Sequence, residues 1–462
     1  LLAIGSDLVR VSALNSASSV EGNLLVVGRE GAEVTSSNGQ VFDISGDLLA
    51  SSRAFGVVGS SLQDPTLINA AGGTALIDVL NGGDMTISGN ALVTADAVGG
   101  ADESSFEAGS ATGGSAQIGA AGGIISILGD TTVSARARGT TQVSLISTGA
   151  ISTGGLAQIF LSEGGSLTAD SIDLIASADA AATITGTNGG DAFAGLSQAI
   201  IEGGSTLTLA DFSLDATAST TAGGETSAGE ALLMVGTSGG GGQVAVTDRV
   251  TMAADATGGD LNIAGRFEVS ATSGQVSTAN LIGTALGEAT GDFAESRLGA
   301  VGGDILVSNA LSIDVFDSFI VEAGQGNLIG GPDLIDPTVA IDITSQGTIV
   351  FLGDNDDAID FGGLSMTLTS RDIAIENGAR IGAVTMDLVS LDETAPAILG
   401  GEGTPSGEVT GEGYTLIAEE ISRLEVGSFT FTQPVLPGAG TDDPDIILRE
   451  ATAFGSADPN GG

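Results

Sequence analysis

Carboxylates and arginines carry nearly all of the ionisable chemistry in this 462-residue chain. There is no His, no Cys and no Lys, and 58 acidic residues against 12 cations, all of them Arg, give a formal charge of −46. Those absences exclude a Ser-His-Asp triad, a thiol nucleophile, a Schiff-base or P-loop lysine and an ordinary zinc site. The stretch Gly236-Thr237-Ser238-Gly239-Gly240 spells a nucleophile elbow, but it has no base to serve and lies in a glycine run, so it reads as a turn. The best metal candidate is Gly353-Asp354-Asn355-Asp356-Asp357 with Asp360 after it, which crowds oxygen ligands as a hard cation such as Ca²⁺ requires. Asp354, Asp356, Asp357 and Asp360 are its candidate ligands. A solvated acidic turn is the competing reading, because the motif lacks the ligand order and terminal Glu of an EF-hand and does not recur. Thr441-Asp442-Asp443-Pro444-Asp445 is a weaker second candidate. Paired Asp or Glu could hydrolyse a glycosidic bond. A saccharide cleft would want stacking aromatics, however, and the chain offers Tyr414 and 15 Phe, most at positions that read as core. Arg136 and Arg138 share one outward strand face and read as surface charge. The chain is therefore expected not to be an enzyme.

The elements that would position any such groups are announced by paired double glycines. Gly72-Gly73 and Gly82-Gly83, Gly113-Gly114 and Gly122-Gly123, and Gly154-Gly155 and Gly164-Gly165 bound alternating apolar runs, and the unit returns after 40 to 42 residues. A fixed period in this range marks a repeat architecture, whose units bury their apolar faces only by stacking. In the second run of each unit Val93-x-Ala95-x-Ala97 aligns with Val133-x-Ala135-x-Ala137, Leu174-x-Ala176-x-Ala178, Leu214-x-Ala216-x-Ala218 and Met252-x-Ala254-x-Ala256. Period two puts these on one buried face and Thr94, Ser134, Arg136, Asp215 and Asp255 on the other. The fold class is all-β, a parallel β-helix or β-solenoid, with coils of about 20 residues stacked ~4.8 Å apart into a rod on the order of 100 Å long.

Residues 1–70 read as irregular opening coils, 71–260 as the regular repeat, 261–427 as its degenerate continuation and 428–462 as an extended tail that could serve as an assembly arm. Within this plan Glu419–Glu425, EEISRLE, is the one stretch with a helical look, and inserts between units should project from one edge of the tube. The charge repels phosphate backbones and anionic headgroups, so neither nucleic acid nor membrane insertion is expected. No signal peptide is visible and the chain starts at Leu1, as a mature or trimmed fragment would.

The GG-x-A-x-I units with their alanine columns resemble the filamentous-haemagglutinin-like secreted exoproteins of Gram-negative bacteria. The phrase GYTLIAEEISRLEVG, Gly413 to Gly427, is similar to a segment near the distal end of such proteins. That resemblance implies a right-handed parallel β-helix at the bacterial cell surface or outside the cell. It covers about 71–427, with neither the N-terminal secretion motif nor the C-terminal β-barrel of that group in view. An extracellular structural or adhesive fibre is the expected function, with self-association into filaments and a glycan or cell-surface receptor as partners. A carbohydrate-active β-helix protein, a polysaccharide hydrolase, lyase or glycan-binding module, is the alternative.

Overall fold

The computed structural model describes residues 1–13, 16–59, 68–102, 107–139, 150–180, 190–220, 224–237, 240–290, 295–323, 340–353, 358–360, 365–376, 379–391, 397–400, 414–432 and 446–449. They form a parallel β-helix, as the alternating pattern implies: almost every ladder is parallel and links strands of successive coils. Each coil visits two body sheets. The narrow sheet stacks twelve strands, from Leu8–Ser12 through Thr74–Leu80, Ser115–Ala121 and Leu156–Ser162 to Asp372–Glu376. The broad sheet begins as two parallel columns, such as Asp84–Ile87 and Ala91–Thr94, which merge into single long strands from Thr206–Asp215 onward. Between the facing sheets runs one continuous core of stacked Ile, Leu, Val, Ala and Phe.

The coil is twice as long as the alternation suggests. Thr74 pairs with Ser115, Ser115 with Leu156 and Leu156 with Leu196, so one turn takes 41, 41 and 40 residues. Where the chain is leaner, Leu8 pairs with Gly31 and Ser296 with Phe319, a turn of 23. The difference is a side arm, here called the fin. After Ala91–Thr94 the chain leaves the body as Ala97–Val98, turns, and returns as Ala111–Thr112. The outgoing strands stack into one six-stranded sheet and the returning strands into a seven-stranded one. Their shared interior is built from small side chains, mostly alanine: Ala70, Ala97, Ala111 and Ala137, then Ala178, Ala180, Ala192 and Ala218, with the buried Ser152, Thr220 and Thr226 in the same columns. With each finned coil spending some 18 residues on the fin, fewer coils fit in the chain. The rod is correspondingly shorter than expected, about 60 Å for the fourteen stacked rungs of the broad sheet at ~4.8 Å each.

The two glycine doublets of each unit do different work. The first closes the neck between body and fin. Gly114 N–H donates to the Ala95 carbonyl at 2.7 Å, Gly155 to Ala135 at 2.8 Å and Gly195 to Ala176 at 2.7 Å. These contacts put backbone against backbone: a Cβ on Gly114 would overlap the carbonyl oxygen of Gly73, one on Gly155 that of Gly114, and one on Gly195 that of Gly155. The second doublet makes the corner between the body sheets. Asn81 and Gly82 both have positive φ, 51° and 75°, and Gly83 N–H closes the turn on Leu80 C=O at 3.0 Å, the type I′ pattern.

The alanine columns face inward as expected, and Arg136 and Arg138 are exposed. Thr94 and Ser134, expected on the outer face with Arg136, are buried instead. They stand where the strand swings out into the fin, so their side of the bend is concave, and the Ser134 hydroxyl donates to Asp96 Oδ1 across it. Substituting Gly155→Ala should cost at least about 3 kcal/mol by overpacking the neck, and Ala176→Leu or Ala216→Leu about 1–3 kcal/mol. Thr132→Val, on the outer face, should stay within about 0.5 kcal/mol. Denaturant melts of the four variants check this ranking, and equal midpoints for Gly155→Ala and Thr132→Val would contradict it.

Candidate interaction surfaces

The β-helix arranges side chains in columns along the rod, and each column is a ladder of like groups one rung apart. At the corner within the broad sheet, Asn23, Asp47 and Asn90 each accept the backbone N–H of the next rung's Asx residue, at 3.0, 2.8 and 2.9 Å. The Ser171 hydroxyl continues the column by donating to Asp130 at 2.7 Å. Each of these Asx residues follows a glycine in the sequence, Gly22, Gly46, Gly89 and Gly129. That Gly-Asx signal was available in the sequence and is absent from the expectations above. The arginines act similarly between rungs: Arg138 meets Asp179 and Arg249 meets Asp211 at 3.5 Å, and Arg266 meets Glu230 at 2.6 Å. They are exposed or half-exposed, so each pair adds little to stability.

The broad sheet's outer face carries carboxylates along the rod. Asp173 is raised above the usual carboxylate range by partial burial and then by Asp130, despite the opposing Arg136. Burial likewise raises Asp255, offset in part by hydrogen bonds from Leu286 N–H and Thr284. Asp314 is raised by burial, with Asp255 and Asp342 adding to it. On the narrow sheet Asp78 is raised by burial and by Glu33. These groups are strung along the ladder, and among the described residues no three His, Cys, Asp or Glu converge on a point that could hold a metal ion.

Of the calcium candidates, Asp354, Asp356 and Asp357 lie outside the described residues, as do Ser238 of the elbow-like run and Thr441–Asp445. Asp360 ends the strand Ala358–Asp360, which pairs with the stretch from Arg380 to Gly382 in the broad sheet. Among the described residues no helix is long and apolar enough to cross a membrane.

The phrase GYTLIAEEISRLEVG forms a lid over the last strand of the narrow sheet. Its helical stretch is a single turn, Ala418–Ile421. The fully buried Glu420 carboxylate accepts Ile375 N–H at 3.1 Å and Ile417 N–H at 2.9 Å, while the Arg423 guanidinium donates to Ile375 C=O. Asp372 accepts Thr415 N–H at 3.1 Å, and the buried Tyr414 ring packs 5.0 Å from Phe431. Side chains thus replace the next rung's backbone on the narrow sheet, while the broad sheet runs one rung further as Leu424–Thr432. The tail strand Ile446–Arg449 pairs with Ala397–Gly400 of the same chain, so this part of the expected assembly arm is engaged internally.

Segments of unequal length join the outgoing fin strands to the returning ones in the sequence. They run over 99–110, 139–151, 181–191, 221–224 and 258–260, from thirteen residues down to three, while the ladders behind them keep register. The expected inserts between units lie largely outside the described residues. No family model, no curated protein and no solved structure matches the chain.

Two outcomes follow. Glu420→Ala should cost about 1–3 kcal/mol by leaving buried N–H groups unpaired, seen as a lowered denaturation midpoint; no change would show that the lid is dispensable. The folded chain holds protons on Asp78, Asp173, Asp255 and Asp314 more firmly than the unfolded chain does. Their protonation therefore favours folding, a contribution fully present below the unfolded value and lost as pH rises through the folded one. The melting temperature should rise as pH falls from 7 toward 5, and a monotonic fall over that range would contradict this.

Proposed function

We propose that the chain is the rod of an extracellular structural and adhesive surface fibre, related to the filamentous-haemagglutinin-like exoproteins that its alanine columns and distal phrase resemble. The observation that carries this reading is the fin: outgoing and returning strands joined in the sequence by segments of unequal length, on a scaffold whose register those lengths do not disturb. A rigid scaffold with variable connections suits binding and leaves the body to supply length and stiffness. The composition agrees, since a chain without His, Cys or Lys lacks the usual nucleophiles and bases of catalysis. The acidic surface keeps rods apart laterally, which leaves their ends as the place for self-association. Among the described residues the lid covers the narrow sheet and no strand follows Leu424–Thr432 on the broad one, so end-to-end joining would use that strand.

Electron microscopy of the native material, paired with an adhesion assay, tests this. Filaments with a regular axial repeat are expected, together with loss of adhesion when 139–151 and 181–191 are replaced by short Gly-Ser turns that leave the melting curve unchanged. Dispersed single rods whose adhesion survives both replacements would overturn the reading.

A further inference from the structure

The outer face of the narrow sheet is unlike the rest of this acidic surface. Across three successive strands, Ser115–Ala121, Leu156–Ser162 and Leu196–Ile201, no outward position is charged. Down the middle runs an amide ladder, Gln117 paired with Gln158 and Gln158 with Gln198. To one side Leu156 stacks on Leu196, and to the other the exposed Phe160 stacks on Ile200. Charge resumes at the borders, with Asp78 one rung before, Glu230 one rung after, and Glu163 and Glu202 just past the ends of the second and third strands. Gln117 donates to Ser115 Oγ at 2.9 Å, but Gln158 and Gln198 make no hydrogen bond among the described residues. Both are half-buried, so each holds a donor and an acceptor in partly desolvated surroundings with no partner among the described residues. The described strands nearest to these three are their ladder neighbours and the broad-sheet strands across the core, so no described strand packs on this outer face.

We propose that this face binds an uncharged, extended glycan lying along the rod. The amides can donate to and accept from hydroxyls, and Phe160 with the flanking aliphatic columns can take the apolar C–H faces of sugar rings. The ladder repeats its groups every ~4.8 Å, close to the advance of an extended hexose chain by one residue, so the same contacts recur from rung to rung. The surrounding carboxylates act against an anionic polymer, while the uncharged field itself costs a neutral one no electrostatic work. A second copy of the chain is a poor occupant. Three strands of six or seven residues cover roughly 300 Å², well short of the ~800 Å² per partner in a standard interface, and two chains of −46 repel each other. The site lies on the body, apart from the fin, and does not depend on the fibre reading.

Affinity electrophoresis of the full chain in gels containing soluble glucan, mannan or galactan tests the proposal, with pectate as the anionic comparison. Retardation by at least one uncharged polymer and none by pectate is expected. Gln158→Glu and, independently, Phe160→Ser should each abolish retardation with the melting temperature unchanged, whereas Thr132→Glu on the broad sheet should leave it intact. If a variant fails to fold, Gln198→Glu takes its place. No retardation by any of the three polymers, equal retardation by pectate, or retardation that survives all three narrow-face substitutions would overturn the proposal. So would concentration-dependent dimerisation that these substitutions abolish without any glycan retention. Filament formation is scored separately by microscopy, so failure of this site leaves the fibre reading to its own test.

Discussion

The architecture depends on how closely two backbones approach at the neck. There the outgoing strand at Ala95, Ala135 or Ala176 accepts a hydrogen bond directly from a glycine of the returning chain, and the returning glycines stack on one another's carbonyls. No side chain fits between them. This contact seals the body core along one side and lets the chain leave and re-enter the coil without opening it to water. It also dictates the fin's interior, because two sheets that spring from so narrow a neck have room only for small side chains, alanine above all.

The electrostatics follow from stacking as well. A column of like side chains one rung apart concentrates like charge, and 58 acidic residues cannot all avoid one another. The chain manages this in three ways. Asx side chains at the corner spend their oxygens on backbone N–H groups of the next rung, arginines bridge neighbouring rungs, and serine or threonine alternates with aspartate along the broad sheet, as in Asp173, Ser213 and Thr251. The carboxyls whose pKa is raised are those that burial and neighbouring acids leave least well served. Amides replace charge altogether at Gln117, Gln158 and Gln198.

Much of the fold was legible in the sequence because stacking forces the same residue type to recur. The alanine columns, the inward face and the parallel β-helix all come from one alignment of Val93, Val133, Leu174, Leu214 and Met252. Coil length was not legible, because local alternation reads the same whether a strand belongs to the body or to the fin, and a 40-residue unit with two glycine doublets looks like two coils of 20. What separates the doublets is long-range: Gly82 needs positive φ in a turn, whereas Gly114 needs room against Gly73, a residue 41 positions earlier. Thr94 and Ser134 were misplaced for the same reason, since a bend buries a residue that a straight strand would expose. The lid at Glu420 was visible only as a short helical phrase, because its role lies in reaching Ile375, 45 residues away. The acidic turn at Asp354–Asp357 falls outside the described residues, so its chemistry rests on the sequence alone.

The coil with its fin is the central claim, and the absence of native cysteine makes it directly measurable. Thr132 and Ser312 both face outward from the broad sheet, five ladder steps apart through Asp173, Ser213, Thr251 and Ile282. Spin labels on Thr132→Cys and Ser312→Cys should report a separation near 24 Å, five times the ~4.8 Å rung. Coils of about 20 residues without a fin would separate the same two positions by about 43 Å, and a distance in that range would contradict the account.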